Sequence, residues 1–166
     1  MTADAASVPR SSGQMSQMSE MEDSSVKRVY DVPDGPPQHP FLSPVIRAGD
    51  FLFVSGNAGL LPNRPPSGVD STWMPGELVA GGIEAETRQT LENLRIALKA
   101  AGAGLEDVVK VNSFLRDIDR DFHAYNRVYQ EFFPSQPPTR TTVGARIYGP
   151  ILVEIECVAY LPEEKR

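Results

Sequence analysis

Apolar residues recur with regular periods from about Pro40 to Pro162, whereas residues 1–38 show no such period. Phe51-Leu-Phe-Val-Ser55 is a short apolar run closed by Gly56, the pattern of a buried strand that ends in a turn. One more strand is expected near Val45–Arg47. Ile83, Thr87, Leu91, Leu94, Leu98 and Ala101 recur at three- and four-residue steps, which predicts a helix over 83–101 with one apolar face. Glu84, Glu86, Arg88, Glu92, Arg95 and Lys99 fall mostly on its other side, acids leading and bases trailing as the helix dipole favours, and Gly102 supplies a stop. Val108–Leu115 is β-branched and reads as a strand. Asp119 is the expected cap of a second helix over 120–133, with Phe122, Tyr125, Tyr129 and Phe132 as its apolar stripe and Pro134 and Pro137-Pro138 as its end. Thr141–Tyr148 and Leu152–Tyr160 read as two strands joined in a hairpin at Gly149-Pro150.

This order predicts an α+β fold of two layers, with two helices on one face of a mixed sheet. The last strand alternates Val153, Ile155, Cys157 and Ala159 on one face with Leu152, Glu154, Glu156 and Val158 on the other. The first set belongs against the helices. The second leaves a mixed face that no helix of this chain can cover, which invites further copies and predicts a homo-oligomer. Residues 61–82, with four prolines and Trp73, form a long loop, and loops beyond roughly 12–15 residues in a compact domain tend to be functional or mobile. Residues 1–38, rich in Ser, Met, acids and then Pro, are expected to be a disordered N-terminal extension, unstructured at least through residue 30, leaving 39–166 as the folded domain. The extension has neither the basic start nor the apolar run of a secretion signal, and its acids do not suit a transit peptide.

Composition narrows the function. The chain has 166 residues and a net charge of −6, enough for one domain and poorly suited to gripping a phosphate backbone. A single cysteine, Cys157, forbids an intrachain disulfide and a cysteine-based zinc site, and two histidines argue against a His-rich metal centre or a Ser-His-Asp triad. No apolar run approaches the roughly 20 residues that cross a bilayer. The expectation is a cytoplasmic protein with no metal, no cofactor, and neither nucleic acid nor membrane as partner.

Arg140, in PPTRTTV, follows a proline pair that restricts the backbone before it, so its guanidinium is held at the start of a strand. It can grip a carboxylate through two parallel bonds, or pair at the surface with Glu154 or Glu156. Glu154 interrupts the apolar run VEIECVA, where a carboxylate needs a partner; it serves either as a base that holds water or as an interface salt bridge. Ser55-Gly56 closes a buried strand, where glycine admits a ligand to the backbone or simply makes a turn. Asn126 stands among aromatic stripe members as a ligand contact or a loop cap.

Four stretches carry a family resemblance: SPVIRAGDFLFVSGNAG (43–59), IEAETRQTLENLRIALKAAGAGLEDVVKVNSFLRDI (83–118), FHAYNRVYQEFF (122–133) and PPTRTTVGARIYGPILVEIECVAYLP (137–162). Together they resemble the RidA (YjgF) family of 2-iminobutanoate/2-iminopropanoate deaminases, most specifically in the P-x-R and V-E-I-E motifs at this spacing. The resemblance implies a chorismate-mutase-like homotrimer with active sites between subunits. It implies that Arg140 binds the substrate carboxylate, that Glu154 positions the attacking water, and that Ser55, Gly56 and Asn126 line the pocket. Leu42 stands where the family usually has a tyrosine, Asn57 where it has a glutamine, and Thr142 where many members have a cysteine. Alternatives within the same reading are a deaminase of a larger aminated acid, such as an aminomuconate, and a non-catalytic trimer that binds 2-oxo acids.

Overall fold

The strand that carries Glu154 is the spine of the sheet. In the computed structural model, which describes residues 27–62, 64 and 76–162, the elements follow as β1 (Arg28–Tyr30), β2 (Val45–Ala48), β3 (Phe51–Asn57), α1 (Gly82–Ala100), a 3-10 turn (Leu105–Asp107), β4 (Val108–Leu115), α2 (Ile118–Phe132), β5 (Thr139–Gly144) and β6 (Val153–Tyr160). They form one six-stranded sheet in the order β1-β2-β3-β6-β4-β5. β4 and β5 are parallel and the other neighbours antiparallel. This is the expected α+β arrangement of a mixed sheet with two helices.

Alternation decides the faces. Val153, Ile155, Cys157 and Ala159 of β6 are buried, with Leu52 and Val54 of β3 and Val111 and Leu115 of β4 beside them, under Leu91, Leu94 and Leu98 of α1 and Tyr125 of α2. Full burial of each such side chain contributes about 2 kcal/mol. The opposite face carries Phe51, Phe53 and Tyr160, each about half exposed, with the Phe51 and Tyr160 rings 5.4 Å apart. Glu86 and Asn93, on the side of α1 outside its leucine stripe, are also buried, so α1 covers more than the simple amphipathic pattern indicates.

Three expectations need correction. β5 and β6 do not form a hairpin, because β4 lies between them and pairs with both. After α2 and the short connection 133–138, the chain enters β5 at Thr139 parallel to β4, as a strand–helix–strand crossover does, and then returns to the sheet centre. The second helix begins at Ile118, and Asp117, not Asp119, caps it by accepting from the Arg120 amide at 3.1 Å. The N-terminal extension is structured in its last part. Arg28–Tyr30 pairs with β2 and Val32 is buried in the core, because the edge of β2 is open to a further strand. Residues 1–26 and most of the loop 61–82, Trp73 included, lie outside the described residues. The two ends of that loop are held together by Leu61 donating to Glu77 O at 2.7 Å and Val79 donating to Gly59 O at 2.8 Å.

Candidate functional site

Glu154 is presented by a local irregularity. Val54 pairs with Cys157 but Asn57 with Ile155, so β3 has one residue more than β6 across this interval, a β-bulge at Ser55-Gly56. β6 turns Val153 and Ile155 into the core and Glu154 outward, onto the bulge. A Cβ built on Gly56 would stand 2.1 Å from Glu154 Oε1. The carboxyl group therefore lies against bare backbone where only glycine leaves room. Burial raises its pKa above the ordinary 4.5, and the charge of Glu156 raises it further. The Ser55 hydroxyl donates to Ser43 O at 2.7 Å and fixes the bulge to the segment entering β2.

Beside Glu154 lies a cavity of about 210 Å³, lined by Gly56, Leu42, Leu60, Ile147 and Ile151 among others. Buried polar groups that sequence reasoning did not single out hold its walls. Asn93 Nδ2 donates to Ala58 O at 2.9 Å and Leu60 O at 2.8 Å, and pins the chain leaving β3. Glu86 accepts from the Leu152 amide at 2.8 Å, and its burial raises its pKa. Arg116, at the end of β4, donates to Ile147 O at 2.9 Å, to Ile151 O at 2.6 Å and to Gly149 O, so one guanidinium organises the connection from β5 to β6. An acid among helix positions facing a glycine, and a long cation at a strand end, were the available signals; neither states its partner.

Arg140 lies elsewhere. Its register partner is Val111 of β4, which pairs on with Cys157 of β6, so it belongs to the helix-covered side. Its guanidinium carbon lies 4.5 Å from the Tyr129 ring centroid and 5.3 Å from that of Tyr125, a cation–π seat. Burial raises the pKa of both phenols, keeping them protonated and the rings intact as a platform, and the Tyr125 and Ser113 hydroxyls lie 2.7 Å apart. The tyrosines expected only as core stripe are thus the support of Arg140. Asn126, half-buried on α2, belongs to that same layer.

Within one subunit the structure joins Gly56 and Glu154 at one cavity, while Ser55 lines an adjacent hollow with Asn112 and Glu156. It does not join Arg140 to Glu154. They occupy different faces of the sheet, two strands apart, where the sequence reading puts them on the two neighbouring strands of one hairpin. Among the described residues no three His, Cys, Asp or Glu side chains cluster as metal ligands would, and no helix is long and apolar enough to cross a membrane.

The model of the family described as Endoribonuclease L-PSP matches residues 34–161. The chain belongs to that family. It is 42% identical over 119 residues to a RutC family protein of Pyrococcus horikoshii, covering 71% of this chain and 85% of that one. It is 35% identical over 138 residues to the 2-iminobutanoate/2-iminopropanoate deaminase of Dermatophagoides farinae, covering 82% and 98%. Among solved structures, RidA from the Antarctic bacterium Psychrobacter superposes with a TM-score of 0.70 at 27% identity, over 81% of this chain and 99% of that one. A Rid family protein of Yersinia pestis gives 0.71 at 28% identity, over 82% and 100%. The membership in the RidA group expected from the motifs is thus shown, and relatives named as deaminases support an enzymatic role of that kind for the family.

Proposed function

We propose that the protein hydrolyses 2-imino acids to 2-oxo acids and ammonia, without metal or cofactor, at sites shared between subunits of a homotrimer. The observation that carries this reading is the seat of Glu154: a half-buried carboxyl group laid over the bare backbone of Gly56 at the wall of a cavity. Its pKa, raised by burial and by the charge of Glu156, makes the ionised carboxylate a stronger base toward bound water than a free glutamate is. In R-C(=NH)-COO⁻, water held by Glu154 attacks the imine carbon. A C–O bond forms as the C=N π bond opens, the water protons pass through Glu154 and solvent to nitrogen, and the C–N bond then breaks as the C–O bond becomes the carbonyl of the 2-oxo acid, releasing ammonia. Catalysis then rests on proximity and orientation.

The substrate carboxylate needs a cation, and Arg140 is the proposed one. It sits on the edge strand β5, on the opposite face from Glu154 of its own chain. A second copy that brings its β5 edge to this chain's helix-free face would supply it, which also accounts for the exposed Phe51, Phe53 and Tyr160 on that face. Ser55 and Asn126 complete the proposed pocket, one from each side of the seam. A net charge of −6 repels a phosphate backbone, so nuclease activity is no part of the proposal. The proposed location is the cytoplasm, and cell fractionation checks it, since relatives include a protein of Schizosaccharomyces pombe named as mitochondrial and one of Arabidopsis thaliana named as chloroplastic.

The test is a coupled assay. An amino acid oxidase generates the imine, semicarbazide traps what survives, and the protein is expected to diminish the trapped fraction. Unchanged activity in Arg140→Ala would overturn the role given to Arg140. Light scattering gives the oligomeric state, for which a trimer is expected.

A further inference from the structure

One part of the cavity beside Glu154 is aliphatic. Leu42, Leu60, Ile147 and Ile151 contribute aliphatic surface to the cavity, and the lining residues Leu42 and Tyr148 are exposed. The amide side chains nearby are already directed to their own backbone. Gln38 Nε2 donates to Pro36 O at 2.8 Å, and Asn57 Nδ2 to Ser55 O at 2.8 Å. The cavity thus has an aliphatic side, Leu42, Leu60, Ile147 and Ile151, beside a polar one that includes Gln38, His39, Asn57 and Tyr148.

The volume sets a scale. A protein cavity of about 150 Å³ with aliphatic and aromatic lining holds a benzene molecule. One of about 210 Å³ therefore accepts considerably more than a methyl group. It is also held in shape, because Arg116 grips three carbonyls of the connection carrying Ile147 and Ile151, and Asn93 grips the carbonyls of Ala58 and Leu60. The aliphatic side of this hollow rewards each methylene it buries, and a polar isostere placed there is left with unmade hydrogen bonds.

We infer that the preferred substrates are 2-imino acids with branched aliphatic side chains, the side chain entering the hollow of Leu60, Ile147 and Ile151 while the imine carbon stays beside Glu154. This rests on the deaminase reading and specifies its substrate class.

The decisive experiment compares imines generated in place from alanine, leucine and asparagine by a broad-range amino acid oxidase, with the full-length protein. The leucine and asparagine products carry side chains of equal size and opposite polarity. The expected result is a kcat/KM for the leucine-derived imine roughly tenfold or more above that for either of the others. Equal rates, or the highest rate with the alanine-derived imine, overturn the inference and leave the deaminase reading intact. Acceleration of none of the three overturns the deaminase reading and the inference with it. Ile151→Phe, which fills the hollow, is expected to lower the leucine-to-alanine ratio about tenfold. An unchanged ratio in a variant of normal melting temperature counts against the assigned pocket.

Discussion

Glu154 rests on Gly56 so closely that a methyl group on that glycine would meet its carboxylate oxygen at 2.1 Å. The clash is with the far end of a side chain, and Gly56 is not among the residues with positive φ. Gly56→Ala is therefore expected to keep the fold, with stability within about 1 kcal/mol of wild type. It displaces the proposed base, and a displacement of this order lowers kcat/KM by roughly a hundredfold. Melting curves and the imine assay, run on the same preparation, check both halves.

The shared site has its own signature. Arg140→Ala and Glu154→Gln are each expected to be nearly inactive. Co-expressed in equal amounts they mix within trimers, and about a quarter of the intersubunit sites then contain both native side chains. Recovery of about that fraction of activity is the expected outcome; none would mean that each site draws both residues from one chain.

Replacing Arg140 by lysine keeps the charge but loses the planar fork and its stacking on Tyr129. A loss of about 2 kcal/mol in transition-state binding, roughly thirtyfold in kcat/KM, is expected, with little change in melting temperature.

The raised pKa of Glu154 fixes the sign of two pH effects. As a base it works ionised, so the acid limb of kcat/KM is expected to have its midpoint above 4.5, and Glu156→Gln, which removes the neighbouring charge, is expected to move that midpoint down. For stability the folded state holds the proton more tightly than the unfolded one. The contribution of Glu154 is thus favourable at low pH and is lost as pH rises from about 4.5 through the folded-state value. Rate profiles of wild type against Glu156→Gln check the first effect, and melting curves of wild type against Glu154→Gln across the same pH range check the second.

Arg116→Ala removes the donor to the carbonyls of Ile147, Gly149 and Ile151. The amides of 147–152 are expected to exchange with deuterium faster while α1 and β6 keep their protection. Cys157, whose thiol is pushed up to about 12 by burial, is expected to resist a thiol reagent at pH 8 until the protein is unfolded.

Much of the fold was legible from local pattern. Leu91, Leu94 and Leu98 at helical spacing, the β-branched run Val108–Leu115 and the alternation along Val153–Tyr160 each follow from the geometry of a single element, so sequence alone placed them within a residue or two. The motifs around Arg140 and Glu154 likewise marked the candidate site. What sequence could not supply was the order of strands. Gly149-Pro150 looks like a hairpin because a turn is local, whereas the insertion of β4 between β5 and β6 is decided by which edges bury the most apolar surface in three dimensions. That insertion, with the bulge at Ser55-Gly56, is what sets Glu154 over a glycine, lays Arg140 on the tyrosines of α2, and separates the two onto opposite faces of one sheet.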